Sequence, residues 1–356
     1  MRRLKSIKTE ISSLQRYLWF SLLIKPYRLF RFFRIFVRSV LNKEVSKQID
    51  LYISSTLSRK GRLLIYFDIL LANLTLGASI TNYFTFNFYN MPFGKRREFI
   101  TDGQSRRLLY AFNPPKYHEI FLDKYQTYNK FRNYYEREII IAESTELEFF
   151  KEFCIRNRQI FIKPRNLSRG QGARKIEIEE SINLESLYQE CLDNQVIIEE
   201  VIDPHPDLAR FHPQSLNTIR ITTVVTKNDV RLMKPAFFKM GKNDSINDNW
   251  SDGGILAEVD IDTGIIHSFG IDKYLNQYAK HPNSKKHIIG YQIPYWEELK
   301  GFVRELALVV PQNRRVGWDI TLNNLNKPVL VEGNHYGDFF TFSGNRKLYE
   351  ETLKEI

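Results

Sequence analysis

Cysteine is nearly missing from this 356-residue chain, with only Cys154 and Cys191 present. Two thiols give no disulfide framework and no repeated CxxC, which argues against structural zinc and suits a reducing, cytoplasmic compartment. Both lie in helix-like, partly apolar settings and read as packed thiols, not nucleophiles. The seven histidines are scattered, and no Ser/His/Asp or Cys/His pattern marks covalent catalysis. Long hydrophobic runs are lacking as well. The longest uncharged stretch near the start, YLWFSLLI at residues 17–24, falls short of the roughly 20 residues a bilayer span needs, and no small-residue cleavage site follows it. Neither a transmembrane helix nor a cleaved signal is expected. No repeat of about 20 to 50 residues is visible, which sets aside solenoids and propellers.

What the sequence does hold is apolar bulk and unevenly spread charge. With 43% hydrophobic residues, a chain of this length can bury a real core, as two domains or one large domain with appendages. Of the net charge of +11, residues 1–50 supply +9, having 12 Lys/Arg against Glu10, Glu44 and Asp50. The remainder is close to neutral, a poor match to a nucleic-acid-binding domain, so no nucleic-acid partner is expected. Within YRLFRFFRIFVRSVL, which follows Pro26, Arg28, Arg31, Arg34 and Arg38 fall in an arc of roughly 120° on a helix. Leu29, Phe33, Phe36, Val37 and Val40 take the opposite face. Such an arm fits the inner face of an anionic membrane, with cations at the headgroups and rings at the acyl boundary. It fits equally a helix docked on its own domain with a solvated basic face.

From about residue 60 to 145 the text is rich in Tyr and Phe, as in ITNYFTFNFYNM and FLDKYQTYNKFRNYYERE, and reads as mainly helical. After Gln159 short β-rich runs alternate with turns: IFIKP, KIEIE, VIIEEVI, TIRITTVVT, GILAEVDIDTGIIHSFGI and the hairpin VGWDITLNNLNKPVLVEGN. Helix patterns stand among them at about residues 183–194 and 296–310. Strands with intervening helices but no regular βαβ rhythm predict an α+β fold with mostly antiparallel sheets.

Four pieces carry chemistry. In FIKPRNLSRGQGARKIEI a strand ends in Lys163, and a loop with Gly170 and Gly172 among Ser168, Arg169 and Arg174 leads to a second strand. Small residues let backbone N–H groups face phosphate oxygens; an ordinary exposed hairpin loop has the same text. It is not a Walker A loop, because no Gly-Lys-Ser/Thr follows. VIIEEVID runs an apolar strand into Glu199 and Glu200, able to hold adenine by main-chain groups and a ribose by a carboxylate, or simply to end in exposed acids. In HPQSLNTIRITT, Arg220 alternates with Ile219 and Ile221; its fork suits a phosphate or a carboxylate, and a solvated sheet face would also accept it. The hairpin completes the set. A turn through NLNK makes Asn323 face Pro328 and Asp319 face Glu332, with Asn334 on the same side. Opposed carboxylates repel unless a cation lies between them, and Mg²⁺ is the natural oxygen-liganded candidate. A different register would send the acids to opposite faces. No His lies at ligand spacing for zinc.

Lys163 with its glycine loop, the Glu-Glu strand end, Arg220, then Asp319 with Glu332 and Asn334, in this order, resemble the ATP-grasp superfamily. Within it, HPQSLNTIRITT, DNWSDGGILAEVDIDTG, HPNS, IPYWEEL and VGWDI…PVLVEGN look most similar to the sugar-transfer-associated ATP-grasp family of bacterial surface-polysaccharide (capsule or O-antigen) biosynthesis. The resemblance spans about residues 60–345. It implies an α+β, ATP-grasp fold, two α+β subdomains sandwiching ATP, with a mainly helical N-terminal region. The expected division is a basic amphipathic arm at 1–50, a helical region at 51–145, a small subdomain with the glycine loop at 146–200, and a large subdomain with the metal site at 201–356.

The same resemblance assigns roles. Lys124 and Lys163 would contact ATP phosphates under a flap containing Ser168, Arg169, Gly170 and Gly172. Glu199, Glu200 and Val201 would line the adenine pocket, and Asp319, Glu332 and Asn334 would hold one or two Mg²⁺. Arg220 would brace the transferred phosphoryl group and, with Lys163, act catalytically. His212, Asn217, Asn249, Gly253 and Gly254 are the acceptor-site candidates. FFKMG places Lys239 where the family pattern has Arg, keeping charge but losing bidentate geometry, so Lys239 carries little weight. The implied reaction joins a carboxylate to an amine through an acyl phosphate, with a small-molecule or lipid-linked sugar acid as acceptor and an amino acid or similar amine as donor. A kinase acting on a sugar or polysaccharide precursor, and a non-catalytic ATP-binding adaptor of a glycosyltransferase, are the alternatives.

Overall fold

The computed structural model describes residues 43–167, 171–335, 344 and 346–356, together with Phe30, Arg34 and Val37. The rest of the basic arm, and Ser168, Arg169 and Gly170 of the glycine loop, lie outside the described residues. Two compact units are present, residues 1–108 with 339–351, and residues 109–338 with 352–356. Among the described residues no helix is long and apolar enough to cross a membrane.

The first unit is helical, as its Tyr/Phe-rich text implied. Its main helix, Arg59–Leu76, starts at Ser58, whose hydroxyl accepts from the Gly61 amide, and stops at Gly77 in the left-handed region (φ 69°). Ile80–Thr85 begins with a capping box between Ser79 and Asn82. The aromatics pack inward: Tyr83, Phe84, Phe86, Phe88 and Phe99 are buried in one core, and the Phe86 and Phe99 rings lie 4.9 Å apart. One ion pair runs through that core. Arg96 donates to the two oxygens of Asp68 at 2.7 and 2.9 Å, and the Tyr83 hydroxyl donates to the same carboxylate at 2.6 Å.

The second unit contains two sheets whose described strands all pair antiparallel. The smaller sheet has the order β1-β4-β2-β3, with β1 at Ile139–Ile141, β2 at Gln159–Pro164, β3 at Arg174–Glu177 and β4 at Val196–Glu200. Successive side chains of a strand point to opposite faces, and here both faces are used. Ile140, Ile160, Ile162, Val196 and Ile198 pack on the helices Leu147–Asn157 and Leu184–Asp193, while Ile139, Ile141 and Ile197 join the larger core on the other side. That is why VIIEE is apolar at consecutive positions. β1 lies inside the stretch read from sequence as helical; three isoleucines are too short a run to declare a strand without its partner β4.

The larger sheet has the order β11-β10-β5-β6-β7-β8-β9. Its strands are β5 (Thr218–Val225), β6 (Val230–Met240), β7 (Ile255–Val259), β8 (Gly270–Ile271), β9 (Gln277–Tyr278), β10 (Arg315–Leu322) and β11 (Pro328–Asn334). The helix Trp296–Val309 covers one face through Trp296, Leu299, Val303 and Leu306, a helical spacing of apolar residues. Opposite them are Ile219, Ile221, Phe238, Trp318 and Ile320. β6 is the long strand that the sequence pattern did not announce, because Pro235 interrupts it. The β5/β6 register shifts between Arg220 and Thr222, and Pro235 falls in the unpaired stretch of β6, where a missing N–H costs no ladder bond.

Candidate active site

Alternation along the larger sheet sends one set of residues to its helix-covered face and the other toward the smaller sheet. On β10, Val316, Trp318, Ile320 and Leu322 belong to the core, so Gly317, Asp319 and Thr321 take the opposite face. Arg220 of β5 lies directly across from Asp319, and Glu332 of β11 lies across from it on the other side.

The route to that pairing differs from the one expected. Asn323 closes the turn on Lys327 (N–H to carbonyl, 3.0 Å), and Leu322, not Asn323, faces Pro328. The expected turn was therefore one residue out of register. Continued regularly, this pairing would carry Glu332 to the core face. The ladder instead shifts between Asp319 and Ile320: Ile320 pairs with Leu330 and Asp319 with Glu332, leaving Val331 as an inserted residue. The bulge restores Glu332 to the face of Asp319, and Asn334 follows it opposite Gly317.

These residues border a cavity of about 830 Å³, within the size range of small-molecule sites. Phe161, Lys163, Ile197 and Glu199 come to it from the smaller sheet, and Thr218, Lys239, Asp319, Glu332 and Asn334 from the larger. Glu200, Val201, Ile202 and Asp203 line it where the chain leaves β4, and Lys124 lines it from the start of the helix Lys124–Phe131.

Two charge clusters are built into its walls. In the first, Glu199 is buried and takes both Arg137 (2.7 and 3.0 Å) and Lys163 (2.9 and 3.0 Å). Burial opposes its ionisation, but the two cations overcome this and hold its carboxyl below the ordinary range. Glu199 is thus committed to positioning Lys163. Arg137 also donates to the Leu330 carbonyl at 2.8 Å, joining the smaller sheet to the strand carrying the bulge. Lys124 Nζ donates to the Leu167 carbonyl, and burial lowers its pKa. The Arg165–Asp123 pair (2.5 Å) ties the foot of the glycine loop to the same helix.

In the second cluster Arg220 forks Asp319, Nε to Oδ1 at 2.6 Å and a terminal nitrogen to Oδ2 at 2.7 Å. Lys239 Nζ stands 3.3 Å from Oδ2 and the Asn334 amide 3.4 Å from it. Burial works against the Asp319 charge, yet Arg220 and Lys239 bring its pKa down to about 2. Lys239 shares its ammonium with Asp248 at 3.3 Å; burial works against its charge, and Asp248 and Asp319 outweigh this and raise its pKa above the ordinary value.

The sequence candidates divide on geometry. Lys124, Lys163, Glu199, Glu200, Val201, Asn249, Asp319, Glu332 and Asn334 line the one cavity. Arg220 is not among its lining residues, because its fork is directed at Asp319. His212 and Asn217 are also elsewhere: buried, they bond within their own segment and the next, His212 to Ser215 and the Asn243 carbonyl, Asn217 to the Leu208 and His212 carbonyls and the Gly241 amide. Neither lines the cavity. Gly253 (φ 107°) and Gly254 turn the chain after Asn249, and a Cβ on Gly254 would stand 2.5 Å from the Asp248 carbonyl oxygen. Gly172 has φ 70° and sits against Pro164. Sequence reasoning missed Arg137 and Asp248 and discounted Lys239. A charged residue flanked by Phe238 and Met240 was the available signal for Lys239. Cys154 and Cys191 are packed thiols in the small-sheet core.

Among the described residues no three His, Cys, Asp or Glu side chains gather as a metal site. The oxygen-bearing side chains that share one face of the ladder are Asp319, Glu332 and Asn334, the last with its amide nitrogen toward Asp319. A carboxylate offers about four lone-pair positions, and three donors crowd Oδ2 of Asp319 while Arg220 alone occupies Oδ1. This hard, incomplete oxygen set fits a magnesium ion completed by phosphate oxygens, and does not fit zinc.

A cavity between two antiparallel sheets, with Lys163 on one, Asp319 and Glu332 on the other and Lys124 on an adjoining helix, is the arrangement of the ATP-grasp fold. Residues 104–344, well over half of the chain, match the sugar-transfer associated ATP-grasp model, and the chain belongs to that family. No curated protein matches it. Among solved structures it is similar to the ATP-grasp ligase PsnB complexed with minimal precursor, Mg and ADP, at 12% identity and TM-score 0.41, covering 68% of this chain and 62% of that one. D-alanyl-alanine synthetase A from Vibrio cholerae O1 biovar eltor str. N16961 aligns at 10% identity and TM-score 0.41, covering 67% of each chain. The chain thus spans less than two thirds of the length of PsnB.

Proposed function

We propose that the chain is an ATP-dependent, ADP-forming ligase that joins a sugar acid to an amino acid or similar amine in surface-polysaccharide biosynthesis. The observation that carries this reading is that Lys124 and Lys163 border the same cavity as Asp319, Glu332 and Asn334. The acceptor's carboxylate oxygen attacks the γ-phosphorus, the bond to the bridging oxygen breaks, and ADP leaves with that electron pair. The amine nitrogen then attacks the acyl carbon, phosphate leaves, and the nitrogen loses a proton to solvent.

The protein's part is positioning and charge, which dominate phosphoryl transfer. Lys163, steered by Glu199, and Lys124 bind phosphate oxygens. Glu200 and Val201 border the base. Lys239 faces the transferred group, with Arg220 holding Asp319 from behind. Asp319, Glu332 and Asn334 would hold one or two magnesium ions, which when bound neutralise phosphate charge. Asn249 lines the acceptor end, and the Arg-striped arm keeps the enzyme near lipid-linked acceptors at the inner membrane face.

The test measures ADP release with Mg-ATP across amino acids crossed with sugar acids, with products weighed by mass spectrometry. Glu332→Gln is expected to abolish ADP formation with the fold intact. Turnover retained by that variant would overturn the metal assignment. A phosphorylated acceptor formed without free phosphate would replace ligation with a kinase reaction.

A further inference from the structure

The loop 241–254 between β6 and β7 brings Ile246, Asn247, Asp248 and Asn249 to the cavity. It is built around Asp248. One carboxylate oxygen accepts from the Thr218 amide at 3.0 Å and from the Thr218 hydroxyl, tying the loop to β5. The other stands 3.3 Å from Lys239 Nζ, which is 3.3 Å from Oδ2 of Asp319. Downstream, Gly254 passes so close to the Asp248 carbonyl that no side chain fits. A buried ammonium therefore stands between the carboxylate row of the proposed nucleotide site and the acid that holds the acceptor-side loop. It donates to Asp319 and forms an ion pair with Asp248.

We infer that Lys239 and Asp248 couple the two ends of the cavity: occupation of the Asp319 end by nucleotide and cation tightens loop 241–254. The inference rests on the proposed nucleotide site. A cation at Asp319 competes with Lys239 for Oδ2, since like charges repel across a short buried distance. Asp248 is then the one acid of the pair left to the ammonium, and the loop carrying it is held more firmly. The two-state element that coupling requires is this choice of partner. Lys239 acts as a positioning residue whose effect is read in the loop.

Hydrogen exchange of the full chain, followed by mass spectrometry with and without magnesium and AMPPNP, tests this. In the wild type the amides of residues 242–249 are expected to exchange about fivefold or more slowly with the analogue, the lower bound of usual site-to-site couplings. Asp248→Asn keeps an acceptor for Thr218 but removes the charge; it should still bind the analogue, seen as a thermal shift, and lose the slowing. Lys239→Arg should retain it. If Asp248→Asn does not fold, Asp248→Ser, which also removes the charge, serves as the second break in the link and should lose the slowing with the analogue still bound. Analogue bound with unchanged loop exchange in the wild type, or slowing preserved in the folded broken-link variant, overturns the coupling and leaves the nucleotide site standing. A wild type that binds no analogue overturns both.

Discussion

Asp319→Asn removes a buried negative charge and keeps the side chain's shape. The carboxyl has a pKa of about 2 in the folded chain against an ordinary 3.8. Because the folded value is the lower, ionised Asp319 stabilises the fold fully above about pH 4, and the contribution disappears as pH falls through about 2. At about 1.4 kcal/mol per unit, the full contribution is about 2 kcal/mol, and about half remains at pH 3. The substitution also leaves Arg220 and Lys239 short of a counter-charge, an imbalance that costs about 3–5 kcal/mol when a buried pair is broken outright. An amide oxygen still accepts one of their bonds, so a loss of about 2–4 kcal/mol at pH 7 is expected, or about 5–15 °C in melting temperature for a unit of this size. Urea unfolding read by tryptophan fluorescence, to which the buried neighbour Trp318 contributes, gives the number. At pH 3 the gap to the wild type should narrow by about 1 kcal/mol. Equal stability at pH 7, or a gap independent of pH, would refute the claim that Asp319 is ionised and paired in the resting site.

Three further outcomes follow from the packing. Burial pushes Cys154 up to about 12 and Cys191 up to about 11, so neither thiol should alkylate in native protein at pH 8, while both react in urea; rapid labelling of the folded chain would contradict this. Asp68→Asn strands the Arg96 cation among the rings of Tyr83 and Phe88 and should cost the helical unit about 3 kcal/mol; an unchanged circular-dichroism midpoint would show that the pair is dispensable. Gly254→Ala drives a methyl toward the Asp248 carbonyl and should destabilise by about 1–3 kcal/mol, whereas a neutral result in chemical unfolding would mean that the loop gives way freely.

The hairpin shows how far a sequence pattern reaches and where it stops. Asp319 and Glu332 were expected to face each other, and they do, but the turn that led to this expectation is out by one residue. An inserted residue at Val331 corrects the error. A bulge leaves no mark in an apolar–polar pattern, because its signal lies in the change of partner and not in residue type. Lys239 makes the same point from chemistry. Judged as a poor substitute for Arg, it lost weight in isolation; between Asp248 and Asp319 it is the cation that the second cluster is built around. His212 and Asn217 show how tertiary contacts place a side chain. Their motif position suggested ligand contact, and their burial commits them to backbone carbonyls and a neighbouring hydroxyl.

By itself the sequence determined the local elements and the chemical vocabulary. The strands Thr218–Val225 and Arg315–Leu322, the helix Trp296–Val309 with its apolar stripe, and the order of lysine, acids, Arg220 and final carboxylates all follow from short-range spacing. Only the tertiary structure decided which of these groups meet. The pairing of Glu199 with Arg137 and Lys163, the fork of Arg220 on Asp319, and the position of Asp248 beside Lys239 join residues far apart in the chain. The physical reason is that a buried charge must find a counter-charge, and which one it finds is set by sheet order, register and a bulge, none of which is a property of any short stretch of residues.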